Sequence, residues 1–172
     1  SLGGKARGLA FANTYLSRAD FIDQFDSITI RVPKVAVVST DEFDQFMEVN
    51  KLWETALSLD NNQDLEGIFL KGRLSRNLVQ TLKEFLKEVD YPLAIRSSSL
   101  LEDSQYQPLA GMYATYMLPN SHEDSKERLS QVCEAIKRVY ASTFFEDPKT
   151  LMENIVHRHE EEKMAVIIME MV

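Results

Sequence analysis

Leu93-Ala94-Ile95-Arg96-Ser97-Ser98-Ser99 is a short apolar run that ends in a cation and three hydroxyls. Glu102-Asp103 follows, and Ala110-Gly111-Met112-Tyr113-Ala114-Thr115 opens a second extended run. A strand that delivers an arginine into a cleft beside a glycine turn is suited to holding phosphate. The guanidinium is permanently charged and carries a forked set of donors. Glycine lets backbone N–H groups come close to an anion. Arg96 also has a plain structural reading, an ion pair with a neighbouring acid. Glu102 and Asp103 read either as a general acid/base pair or, more simply, as braces for the loop after Arg96.

Toward the N-terminus, Val32-Pro33 leads into Val35-Ala36-Val37-Val38, a short buried strand. Ser39 with Glu42 three residues on has the spacing of a capping box, and Phe43, Phe46, Met47 and Val49 make the following segment an amphipathic helix. A further helical piece is predicted over Lys51 to Ser58, a loop over Leu59 to Gln63, and Asp64 to Gly72 is ambiguous. Leu74, Leu78, Leu82, Phe85, Leu86 and Val89 predict a helix over about 75–88, which Asp90-Tyr91-Pro92 stops. At the start of the chain, Gly3-Gly4-Lys5-Ala6-Arg7-Gly8 precedes Leu9, Phe11, Ala12, Tyr15 and Leu16, apolar positions at helical spacing. Glycines before a helix N-terminus suit an anion. Taken alone, the same stretch reads as a flexible lead into a helix with a solvated lysine. It is neither a Walker P-loop nor G-x-G-x-x-G. Phe21 to Ile30 reads as loop or short turns.

Toward the C-terminus, Met112 to Leu118 reads as extended and Pro119-Asn120 ends it. Leu129, Val132, Cys133, Ile136, Val139 and Tyr140 put a long helix over Ser125 to about Ser142. Pro148 suits the start of another helix reaching about Glu160, and Ala165 to Val172 is an apolar strand. Strands and helices mix without strict βαβ alternation, which predicts an α+β fold. His157-Arg158-His159 beside three glutamates invites a metal reading, but positions i and i+2 of a helix face different ways, so a solvated helix end fits better. No metal ligands are assigned, and His122 is given no role.

The 172 residues suffice for one domain, or one lobe of a larger one. A net charge of −8 argues against nonspecific nucleic-acid binding. A small phosphate ligand, which needs only a local cluster of cations, stays open. No apolar run nears the roughly 18 residues of a membrane span, and no signal peptide is visible. The single cysteine, Cys133, allows no internal disulfide, which suits a reducing, cytoplasmic compartment, and its place in a helical stripe reads as an inert core thiol. With Ser1 first and an apolar run last, the sequence reads as a piece of a longer protein.

Several stretches together resemble the nucleotide-binding N-terminal domain of the pyruvate phosphate dikinase and phosphoenolpyruvate synthase family. They are Leu2-Gly3-Gly4-Lys5; Val32-Pro33 with Val37-Val38-Ser39-Thr40; Ala94-Ile95-Arg96-Ser97-Ser98 with Glu102-Asp103 and Ala110-Gly111 through Thr115; and Ala165-Val166-Ile167-Ile168 with Met171-Val172. Tyr140-Ala141-Ser142-Thr143-Phe144 also looks like a family segment. The resemblance implies an ATP-grasp fold, of which this chain would be the first lobe. ATP and Mg2+ are the implied cofactors, with the acidic metal ligands in a second lobe and the phosphate passing to a histidine on a separate domain, then to pyruvate or a similar acceptor. It also implies roles: Lys5 and Arg96 on the phosphates, Gly111, Met112 and Thr115 in the loop over them, and Glu170, Met171 and Val172 on the hinge strand that meets the adenine. Met169 stands where relatives usually carry glutamine, and Met112-Tyr113-Ala114 replaces more polar loop residues. These departures keep open a non-catalytic nucleotide-binding or signalling module.

Overall fold

The computed structural model describes residues 4–18, 32–99, 113–146, 148 and 163–171. In chain order these form α1 (Gly4–Arg18), β1 (Val35–Val38), α2 (Thr40–Val49), α3 (Trp53–Ser58), α4 (Asn62–Lys71), α5 (Arg76–Glu88), β2 (Leu93–Ser99), β3 (Thr115–Leu118), α6 (Ser125–Ser142) and β4 (Met164–Glu170). The fold is α+β. Beyond Pro148 itself, the helix predicted to reach Glu160 lies outside the described residues, as do the loop at Phe21 to Ile30, Gly111, Met112, Val172, His157 and His159.

The strands make one antiparallel sheet in the order β1-β4-β2-β3. The two seven-residue strands sit in the middle and the four-residue ones at the edges. Opposed residues of an antiparallel pair share a face, and each strand alternates between faces. The register therefore sorts the sheet into two sides. On one lie Leu93, Ile95, Ser97, Ser99, Val166, Ile168, Val38, Tyr116 and Leu118. The apolar members of this side join the main core with Phe43, Phe46, Leu65, Phe69, Leu82, Leu86, Val132, Ile136 and Tyr140 from the helices. On the other side lie Ala94, Arg96, Ser98, Ala165, Ile167, Met169, Val37 and Thr115. There α1 packs on β2. A central strand covered on both sides needs small or apolar residues throughout, and β4 supplies them in Met164-Ala165-Val166-Ile167-Ile168.

Some local expectations are revised. The strand expected over Leu93-Ala94-Ile95 continues to Ser99 as β2, because Ser97, Ser98 and Ser99 are all buried and pair with Val166, Ala165 and Met164. The capping box does not form. Ser39 makes no side-chain cap, and the Glu42 carboxylate instead accepts from Ser75 Oγ at 2.7 Å. Ser75 at the same time accepts from the Leu78 N–H at 3.0 Å and so caps α5. Lys51 belongs to the end of α2, not to the start of α3: it adopts φ 54°, with Leu52 N–H on Met47 O and Lys51 N–H on Glu48 O, the paired bonds of a Schellman closure. The ambiguous 64–72 stretch is helical. Asn61 caps α4 by accepting from Gln63 and Asp64 N–H, so the loop expected to reach Gln63 ends two residues earlier. Strand β3 begins at Thr115, later than the predicted Met112.

Cys133 lies half-buried on α6, and burial pushes its thiol above the ordinary 9.0. Thiolate is the reactive form, so at neutral pH the native protein should react with a thiol reagent far more slowly than the urea-unfolded chain. Equal rates in the two states would contradict the inert-thiol reading. The sign for stability also follows. The folded state holds this proton more tightly, so the contribution is complete below the unfolded thiol's pKa and is lost as pH rises above it.

Candidate functional site

On the side of the sheet away from the main core, α1 and the strands enclose a cleft of about 380 Å³ lined by Lys5, Gly8, Leu9, Arg96, Ile167 and Met169. Each wall has a simple origin. Residues 5, 8 and 9 are i, i+3 and i+4 on one helix, so they share a face of α1. Arg96 stands directly opposite Ile167, and Ala94 opposite Met169, so β2 and β4 present these side chains to the same side.

Arg96 is the only half-exposed position in β2 and has fully buried neighbours before and after it. Its Nε is buried without a hydrogen-bond partner among the described residues. A guanidinium nitrogen left in this way costs free energy until an acceptor arrives. Among the described residues no carboxylate pairs with Arg96, so the structural ion-pair reading finds no support there. Lys5 sits in the first turn of α1, half-buried, with Nζ donating to Ser97 O at 3.4 Å. It is not the solvated lysine of the plain reading. That first turn carries no acidic residue, so the positive end of the helix adds to Lys5 and Arg96 uncompensated from within the helix. No carboxylate appears among the described lining residues. The rest of the described lining is apolar.

The other named positions are arranged less directly. Thr115 stands opposite Arg96 in β3, on the same side of the sheet, but it does not line the cleft. Glu170 pairs with Leu93, so its side chain leaves toward the opposite side from Arg96. Its Oε2 accepts from Lys34 N–H at 3.2 Å. The N–H groups of Glu170 and Met171 are engaged by Lys34 O and Pro92 O, both at 2.9 Å. Both backbone N–H groups are thus already engaged within the fold. Nearby, Lys34 stands over the Tyr91 ring at 5.7 Å. The Tyr91 hydroxyl is held above its ordinary 10.0 by burial first, then by Glu170 and Asp90.

Gly8, Leu9 and Ile167 were not anticipated as lining residues. For the helix, the signal was present in the i, i+3, i+4 spacing from Lys5. For Ile167 it was absent, since only the register of β4 on β2 brings it to Arg96.

Two cations beside an apolar wall suit a ligand with an anionic end and an apolar body. The chain belongs to the pyruvate phosphate dikinase AMP/ATP-binding domain family, with the match running over residues 1–172. It is also similar to the uncharacterized phosphotransferase YvkC of Bacillus subtilis (strain 168), at 26% identity over 140 residues. That alignment covers 80% of this chain but 15% of the relative, so the chain spans a small part of that protein's length.

Proposed function

We propose that this chain is the first lobe of an ATP-grasp domain in a phosphotransferase resembling phosphoenolpyruvate synthase and pyruvate phosphate dikinase. In this reading the cleft beside α1 receives ATP. The observation that carries it is the buried Nε of Arg96, without a hydrogen-bond partner among the described residues, beside Lys5 in a cleft whose other described lining is apolar. Both cations would neutralise the polyphosphate, Arg96 through its fork and Lys5 as a point charge. Ile167 and Met169 would lie against the apolar part of the nucleotide. Thr115 would act with Gly111 and Met112 in the loop over the phosphates. Glu170, Met171 and Val172 would meet the adenine edge, mostly through backbone groups.

Phosphoryl transfer needs charge neutralised and groups held in line more than covalent participation by the protein. Lys5 and Arg96 supply the first. The acceptor would be a histidine on a separate domain of the full-length protein, which would pass the phosphate to pyruvate or a similar compound. Mg2+ suits oxygen ligands from carboxylates and phosphates. The described lining residues hold no carboxylate, so the metal would be held by a second lobe and by the nucleotide itself. A cytoplasmic setting is part of the same reading. Met169 in the cleft wall is the observation that favours the second reading, a nucleotide-binding module without catalysis.

Calorimetric titration of the full-length protein with ATP and magnesium tests this, and Gly8 supplies an internal control. A Cβ at Gly8 meets no atom within 4 Å, so a side chain there enters open cleft. Gly8→Leu is expected to reduce ATP affinity at least about tenfold, a loss of about 1.4 kcal/mol. The helix itself should gain roughly 0.5–1 kcal/mol from losing an interior glycine. Unaltered affinity in Gly8→Leu would place the nucleotide somewhere other than this cleft.

A further inference from the structure

The first turn of α1 is fastened to β2 by two bonds to adjacent serines. The buried Ala6 N–H donates to Ser98 Oγ at 3.2 Å, and Lys5 Nζ donates to Ser97 O. The first N–H groups of a helix have no partner inside it, and here a hydroxyl from a neighbouring strand accepts from one of them. Ser98 lies two residues from Arg96 on the same strand, so it faces the same side of the sheet. It stands opposite Ala165, and Ser98, Ala165 and Ala6 are all buried. Small residues at this contact let the helix backbone approach the sheet closely enough for the bond to form.

We infer that Ser98 is a positioning residue for the cleft: by holding the Ala6 N–H it fixes the first turn of α1 so that Lys5 stands over the same ligand group as Arg96. The inference rests on the nucleotide reading of the cleft. A serine fits the task because its short hydroxyl reaches a backbone N–H without filling the space that the helix needs. Ser98 touches no ligand in this account. It acts through Lys5.

The test is a double-mutant cycle with Ser98→Ala and Lys5→Ala, read by ATP affinity and by amide hydrogen exchange over residues 4–9. A single neutral hydrogen bond predicts about a two- to tenfold loss of ATP affinity in Ser98→Ala. Exchange at Ala6 should rise by a similar factor. In the Lys5→Ala background the same substitution should change affinity little, because its effect passes through the missing side chain. An equal loss in both backgrounds would mean a general structural role and would overturn the inference, as would unchanged exchange at Ala6. If the unmutated protein binds no ATP, the nucleotide reading fails, and exchange at Ala6 then decides the anchor by itself.

Discussion

Replacing Arg96 with methionine is expected to weaken ATP binding roughly 10- to 150-fold, from the loss of about 1.5–3 kcal/mol of charge-assisted hydrogen bonding. The same substitution should leave the unfolding free energy unchanged or raise it by up to about 1 kcal/mol. The two effects have one cause. A residue kept for packing would have its polar atoms satisfied within the fold. Arg96 instead stands in the middle of a central strand with a buried Nε that finds no hydrogen-bond partner among the described residues. Methionine has a comparable apolar stem and no donor to desolvate, so the folded chain loses a liability while the ligand loses a partner. Arg96→Lys should fall between, because it keeps the charge and gives up the fork. Calorimetric titration gives the affinity and urea unfolding gives the stability. If Arg96→Met binds ATP as the unmutated protein does and loses more than about 2 kcal/mol of stability, the arginine is a structural residue.

Much of the frame is legible in the residues, and the misses share a physical origin. The stripes through Leu78, Leu82 and Leu86 and through Val132, Ile136, Val139 and Tyr140 are long and strictly periodic, and they correspond to α5 and α6. Helix α4 buries only Leu65 and Phe69, a stripe too short to stand out, although Asn61 was a readable cap. Ser39 and Ser75 have equal claims as caps by residue type. Which one binds Glu42 depends on how α2 and α5 pack, and no local pattern holds that information. Serines are weak strand formers, yet Ser97 to Ser99 continue β2 because both sides of the strand are covered; tertiary context outweighs propensity. The site divides in the same way. Arg96 and Lys5 could be named from residue chemistry and from resemblance. That they share one cleft follows from the packing of α1 on β2, and Ile167 and Met169 become its wall through the antiparallel register of β4 on β2.

The largest loss of stability is expected on the other side of the sheet. Phe43→Ala should cost about 3–5 kcal/mol, a large part of the roughly 5–15 kcal/mol that holds a domain of this size. Phe43 is fully buried at the start of α2. Its ring meets Tyr140 edge-on at 5.1 Å, Trp53 edge-on at 5.9 Å and Phe144 in a stack at 6.4 Å. Truncation removes all three contacts at once and opens a void between α2, α3 and α6 that rigid neighbours fill poorly. Phe11 is the control. It is 72% exposed on α1 and, among the described residues, stacks on Tyr15, which is itself exposed, so Phe11→Ala should change stability by less than about 0.5 kcal/mol. Urea unfolding read as a shift in midpoint at constant slope compares the two. A Phe43→Ala shift no larger than that of Phe11→Ala would mean that the aromatic cluster is not the core it is taken for. The sheet makes a further demand. Phe43 packs on the side opposite Arg96, so Phe43→Ala, wherever the protein remains folded, should bind ATP with nearly unaltered affinity. Arg96→Met should do the reverse. Stability lost on one side and binding lost on the other is the behaviour expected of a sheet that packs its core on one side and its ligand on the other.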